Sequence, residues 1–218
     1  MNPMSFLTVL TSMVFLSASC EQPKTQYKYM SETIIPNGTK TDTATFGTGC
    51  FWCTEAIFQE LKGVLKATAG YSGGHVANPS YEEVCTGVTG HAECLQVVYD
   101  STVITFDELL EVFWECHDPT SLNRQGNDEG TQYRSAIFYH SEAQRQKAEL
   151  YKVELDKSKA YDKPIVTEIT AFSKFYPAED YHQHYYSLNG SQPYCAFVIR
   201  PKVEKFEKVF KTKLRPVK

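Results

Sequence analysis

From Ala44 onward the chain switches repeatedly between alternating and helical spacing of its apolar residues. Ala44 to Thr48 reads as a short strand running into Gly49-Cys50, and Cys53 to Leu61 follows with Ile57, Phe58 and Leu61 at helical intervals. Val64 to Tyr71 predicts a second strand, closed by Gly73-Gly74 and an Asn78-Pro79 turn. Ser80 with Glu83 has the spacing of a capping box for a single helical turn. Cys94 to Tyr99 is strand-like, and Thr105 with Glu108 caps a helix that continues to His117. Asp118 to Gly130 reads as a long polar loop, Ser135 to Tyr139 as a strand, Ser141 to Asp156 as a surface helix and Ile165 to Ala171 as another strand. Helices are predicted over Glu179 to Tyr186 and, after Pro201, over Val203 to Phe210.

Strands interleaved with helices, some strands following one another directly, predict an α+β sheet covered on one face. No Gly-rich dinucleotide loop follows any strand. The expectation is therefore a two-layer α/β plait with a ferredoxin-like core, long loops and an irregular C-terminal segment, formed by residues 44–218. The segment before it reads differently. Phe6 to Leu16 is an apolar run of signal-peptide length, followed by small residues Ser17-Ala18-Ser19 and then Cys20. A cysteine in that place resembles a bacterial lipoprotein acceptor, so residues 1–20 are expected to be an export signal with lipidation at Cys20. Residues 21–43 are polar and too poor in large apolar side chains to fold alone, which makes them a tether.

Composition narrows the classes. With 218 residues, 42% hydrophobic and 22% charged, the chain is globular in make-up rather than disordered. Its net charge of −4 argues against tracking along nucleic-acid phosphates. No window reaches the roughly 18 apolar residues of a membrane-spanning helix, so any membrane contact is expected through the lipid anchor alone. Seven cysteines, at 20, 50, 53, 85, 94, 116 and 195, are too few and too irregular for a disulfide scaffold. Sulfur chemistry becomes a live reading.

Its best location is Gly49-Cys50-Phe51-Trp52-Cys53-Thr54-Glu55. A strand ends, glycine permits a sharp turn, and Cys50 lands at a helix N-terminus, where unpaired amides and the helix dipole favour a thiolate. Phe51 and Trp52 give an apolar floor beside the nucleophile. A buried structural cysteine is the plainer alternative, since free Cys is commonly a small core hydrophobe. A thioredoxin-like Cys-x-x-Cys has its Trp before the first Cys, whereas Trp52 lies between the two. Zinc on Cys50, Cys53, Cys85 and Cys94 lacks ligand spacing. His91, His117 and His182 read as structural or loop-orienting, and Cys85, Cys94 and Cys116 as packing residues.

The heptapeptide at 49–55 resembles the signature of the A-type peptide methionine sulfoxide reductases. So do Gly70-Tyr71-Ser72-Gly73-Gly74, Val84-Cys85-Thr86-Gly87, Thr89-Gly90-His91-Ala92-Glu93, Gln132-Tyr133-Arg134-Ser135 and Ala178-Glu179-Asp180-Tyr181-His182-Gln183, in order and spacing. The resemblance covers roughly 44 to 200. It implies thiol-dependent reduction of the S-epimer of methionine sulfoxide, free or in oxidised proteins and peptides, without a cofactor. Cys50 would attack the sulfoxide sulfur, Glu93 would protonate the departing oxygen, and Tyr81 and Tyr133 would hold that oxygen. Phe51 and Trp52 match the walls that receive the methyl group, and Asp128 a residue near the pocket.

Recycling requires a second thiol to capture the Cys50 sulfenic acid before an external dithiol, thioredoxin or a periplasmic thioredoxin-like reductant, can act. Cys195 follows the Gly190-Ser191-Gln192-Pro193-Tyr194 loop and resembles in position the first recycling cysteine of the family. Cys53 is nearer in sequence, but a bridge across one helical turn distorts the start of the helix. The expectation is Cys195, in an exported enzyme that acts as a monomer. The rival is a general thiol–disulfide oxidoreductase using Cys50-Cys53.

Overall fold

The computed structural model describes residues 35–216. The expected signal peptide with Cys20, and tether residues 21–34, lie outside the described residues. The strands are β1 (Thr41–Thr48), β2 (Val64–Ser72), β3 (Ala92–Asp100), β4 (Arg124–Gln125), β5 (Asp128–Glu129), β6 (Ser135–Tyr139), β7 (Glu168–Ala171) and β8 (Phe175–Pro177). The helices are α1 (Phe51–Phe58), α2 (Tyr81–Cys85), α3 (Phe106–Cys116), α4 (Glu142–Ser158), α5 (Tyr185–Asn189) and α6 (Arg200–Val209).

Strand β1 begins at Thr41, inside the segment read as tether, because Thr41, Asp42 and Thr43 pair by backbone with Asp100, Tyr99 and Val98 of β3. Such pairing needs no apolar side chain, so hydropathy gives no sign of it. Six strands form one mixed sheet in the order β7-β6-β1-β3-β2-β8, antiparallel throughout except for the parallel β6–β7 pair. The fold is mixed α/β, as the alternating signals predict.

Alternation sorts the sheet into two faces. Ala44 and Phe46 of β1, with Leu95, Val97 and Tyr99 of β3 and Ile137 of β6, join one large core with α1, α3, α4 and α6. Helix α3 commits Leu109, Leu110 and Phe113 fully to this core, each worth roughly 1.5–3 kcal/mol. Its capping box is formed as read, Thr105 accepting from Glu108 N while the Glu108 carboxylate accepts from Thr105 N. The opposite face carries a small cluster of Ala92, Cys94, Ala136 and Phe138, covered by Phe172 and Phe175. Glu93 therefore lies on the helix-covered face, across from Tyr71 in register.

Other segments also depart from the sequence reading. Helix α1 starts at Phe51, two residues early, and Leu61 lies beyond it, bridged to Leu214. The 118–130 loop contains the β4–β5 hairpin around Gly126 and Asn127, a two-residue connection in which Gly126 takes φ 63°. The stretch 179–186 is not one helix: a 3-10 turn at Asp180–His182 ends at Gln183, His184 adopts left-handed φ 55°, and α5 begins after it. The C-terminal segment is not irregular. Cys195–Ile199 form a wide π-type turn that feeds directly into α6, with Pro201 just past the junction.

Candidate active site

Gly49 makes the site possible. Its φ of 92° is left-handed, and a Cβ there would stand 2.6 Å from Gln125 Cβ. Gln125 holds the β4–β5 hairpin in that position, accepting from Asp118 N at 3.0 Å and donating to Asp118 O at 3.0 Å. The turn delivers Cys50 to the N-cap of α1, and the hairpin brings Asp128 and, shortly after it, Tyr133 to the same place. The resulting cavity, about 170 Å³, is lined by Cys50, Phe51, Trp52, Tyr81, Glu93, Asp128, Tyr133 and Tyr194.

Glu93 is 2% exposed, and its Oε2 accepts from Phe51 N at 3.0 Å. Burial pushes its carboxyl well above the usual carboxylate range, more than the amide can offset. Burial therefore favours the proton-bearing form of this carboxyl. The Tyr81 and Tyr133 hydroxyls are held neutral in the same way, first by burial.

Cys50 departs from the simple helix-start expectation. Burial raises its thiol, the hydrogen bond and charge of Cys53 raise it further, and the amide of Cys53 only partly counters them. An N-terminal dipole gains little where the sulfur has left water and an acid stands beside it.

Trp52 is fixed on two sides. Its Nε1 donates to His182 Nδ1 at 3.1 Å, and Tyr185 stacks on its face with ring centroids 3.7 Å apart and 7° between planes. The sequence reading gives this segment as a helix and a motif, with His182 as a structural or loop-orienting residue, and assigns it no part in holding Trp52. Glu179 accepts from Tyr71 OH and from Tyr81 N, His182 packs against Phe51 and Tyr81, and Gln183 bonds the backbone of Ala69 and Ala178. Glu55, 1% exposed, accepts from His184 N at 2.9 Å, and burial raises its carboxyl to about 7. Neither Glu55 nor Tyr194 was singled out from the sequence. Tyr194 donates to Asp128 Oδ2 at 2.7 Å and hydrogen-bonds Cys50, tying the C-terminal segment to the hairpin. Its position directly before Cys195 was the available signal.

The remaining cysteines divide. Cys195 is fully buried next to this site, within reach of the charge on Cys50, but on a helical turn rather than a loop. Cys94 is buried on the far sheet face and Cys116, the last residue of α3, is half-buried against the main core. Cys85 is exposed, not a packing residue, because α2 is a single turn whose buried side is Val84. Among the described residues no group of three or more His, Cys, Asp or Glu could hold a metal ion.

A thiol next to a carboxyl whose burial favours its proton-bearing form, with neutral hydroxyls in a small aromatic cavity, is suited to a thiol-dependent reductase of a polar sulfur or oxygen group. The family model for peptide methionine sulfoxide reductase matches residues 42–214, and the chain belongs to that family, in its A-type branch. Among its relatives, the peptide methionine sulfoxide reductase MsrA of Saccharolobus solfataricus is 55% identical over 174 residues, covering 80% of this chain and 97% of that one. The Polynucleobacter asymbioticus MsrA is 49% identical over 187 residues, 86% of this chain and 98% of its own. Among solved structures, reduced Mxr1 from Saccharomyces cerevisiae superposes with a TM-score of 0.68 at 37% identity, covering 75% of this chain and 94% of that chain. The activity is thiol-dependent reduction of methionine sulfoxide, the peptide-methionine (S)-S-oxide reductase reaction.

Proposed function

We propose that Cys50 attacks the sulfoxide sulfur while Glu93 protonates the oxygen, with Tyr81 and Tyr133 holding that oxygen and Phe51 and Trp52 receiving the methyl group. The observation that carries this reading is the convergence of all six side chains on one cavity around Cys50. S–O cleavage needs a proton donor, and burial favours the proton-bearing form of the Glu93 carboxyl. Asp128 acts through Tyr194, keeping its hydroxyl over the nucleophile. The order β6-β1-β3-β2, with α1 between β1 and β2 and α3 between β3 and β6, supports reading the core as a ferredoxin-like plait.

Cys195 is proposed to capture the Cys50 sulfenic acid, since it lies beside the site on the segment that Tyr194 anchors. Thioredoxin or a thioredoxin-like dithiol is the proposed reductant. A second reading has Cys53 as the capturing thiol, favoured by its hydrogen bond to Cys50. Peptide mapping after one equivalent of substrate without reductant decides: a Cys50–Cys195 bridge supports the first reading, a Cys50–Cys53 bridge with Cys195 free supports the second. Turnover of the S-epimer of a methionine sulfoxide peptide with a dithiol tests the whole assignment, and loss of that turnover in Cys50→Ser is expected.

Export and anchoring belong to the same proposal. An apolar run ahead of Cys20 supports an enzyme held at the cell envelope by an acyl chain on Cys20 and kept clear of the surface by the polar segment that follows. Globomycin-sensitive processing and an acyl label on Cys20 are the expected results; a mature N-terminus elsewhere refutes the anchor.

A further inference from the structure

The two cysteines of the first helical turn are electrically unequal. Lys202 of α6 places Nζ 3.8 Å from Cys53 Sγ, and among the described residues it forms no ion pair with a carboxylate. On the other side, Cys50 faces the Glu93 carboxyl. The two thiols hydrogen-bond to each other. A single negative charge shared by two sulfurs settles on the one beside the cation.

We propose that Cys53, kept ionised by Lys202, is the base that takes the Sγ proton of Cys50 as Cys50 attacks the sulfoxide. Cys53 touches the reacting sulfur and so is catalytic in this role, while Lys202 is a positioning residue acting through it. The proposal rests on the reductase reading above, but not on which thiol later captures the sulfenic acid.

The groups around the pair fit. Cys53 is faced by Cys50, Lys202, Asp128 and Tyr194, and its thiol is lowered although burial opposes it. Asp128 is the one opposing charge, and its carboxylate is occupied by the Tyr194 hydroxyl. Cys50 is faced by Glu93, Tyr133, Tyr185, Tyr194 and Cys195, none of them cationic. Lys202 also faces Cys116 and His117, both held neutral by burial.

The step balances. Cys50 gives its proton to Cys53, and its electron pair bonds the substrate sulfur. The oxygen passes to Cys50 with the Glu93 proton as the sulfoxide sulfur is reduced to a thioether. Before the step the charge is on the Cys53 thiolate, and after it on the Glu93 carboxylate, with Cys50 oxidised to the sulfenic acid and Cys53 a neutral thiol. If Cys53 then closes the disulfide, its proton leaves with the sulfenic hydroxyl as water.

Two readouts on the full chain test this. Ultraviolet thiolate absorbance, titrated without substrate, is expected to rise at a lower pH in wild type than in Cys53→Ala. In Lys202→Met the midpoint should move up by about one pH unit, and Lys202→Arg should restore it. Single-turnover formation of methionine from a methionine sulfoxide peptide should fall about tenfold at neutral pH in Lys202→Met, and recover as pH is raised. An unchanged midpoint in Lys202→Met, or an unchanged low-pH thiolate in Cys53→Ala, overturns the proposal. Absent turnover in wild type would instead sink the reductase reading, which the substrate-free titration does not touch.

Discussion

The amide of Phe51 donates to Glu93 Oε2 at 3.0 Å, so the residue after Cys50 grips the Glu93 carboxyl. The proposed attack and protonation are thereby held in one frame: moving α1 moves both groups. The bond uses one of the orphan amides at the helix start, which would otherwise be available to a thiolate.

Replacing the acid tests that frame. Glu93→Gln retains an acceptor for the Phe51 amide but cannot deliver a strong acid's proton, so single-turnover methionine formation should slow by roughly 10²–10⁴-fold. The wild-type rate should fall as pH rises through the raised Glu93 value, and Glu93→Gln should lack that limb. Tyr81→Phe and Tyr133→Phe should each cost less, since one hydroxyl covers for the other. Single-turnover kinetics unchanged in Glu93→Gln would move the acid elsewhere.

Among the cysteines, Cys50→Ser should lose turnover with its far-ultraviolet circular dichroism intact, because a hydroxyl barely ionises. Cys85→Ser, exposed, should be silent. Cys94→Ser and Cys116→Ser should remain active, with Cys94→Ser less stable by about 1–3 kcal/mol for a polar group placed in the far-face cluster. Denaturant midpoints and steady-state rates measure both.

The Trp52 wall should fail through its supports. Tyr185→Ala removes the stacked face and His182→Ala the Nε1 acceptor, so each should raise KM more than it lowers kcat. A red shift in tryptophan emission should accompany Tyr185→Ala. A pure kcat effect with unchanged emission would contradict a wall role.

His117 predicts a pH-dependent stability. Its Nδ1 faces Phe113 O and its Nε2 faces Ser135 Oγ, which in turn meets Thr167, and burial lowers the ring to about 4. Because the folded value lies below the unfolded one, the unfolded chain binds the extra proton first. This contribution is present above the unfolded value and is lost as pH falls toward about 4. Glu55 works in the opposite direction: its raised value favours the folded state at low pH and loses that preference as pH rises toward about 7. The difference in unfolding free energy between wild type and His117→Gln, measured across this window, should therefore change by up to about 3 kcal/mol. A constant difference would show that His117 does not stay neutral in the fold.

Cys50, Phe51 and Trp52 stood out through local signals, a glycine turn and a helix start, whereas Glu93 was reached only through the spaced motifs that carry the family resemblance. Cys195 shows the limit. Gly190, Ser191 and Pro193 read as a loop, yet no glycine follows Gly190 before the end of α6, and the chain from Pro193 onward coils continuously. Lys202 carries no local signal, since its partner Cys53 is 149 residues away, and Tyr194 is marked only by its place before Cys195, its partner Asp128 being 66 residues away. The β4–β5 hairpin was within reach, because a two-residue Gly-Asn connection is a recognised hairpin signal.

Gln183 carries one more consequence. Its side-chain amide accepts from Ala69 N and donates to Ala69 O, reproducing with a side chain the pairing another strand would make. Strand β8 pairs only with Gly70, Tyr71 and Ser72, so Gln183 extends the seal one residue further along β2. An open sheet border is a template on which extended segments of other chains can collect. At Ala69 that border is already occupied, which leaves an arriving extended segment no backbone partner there.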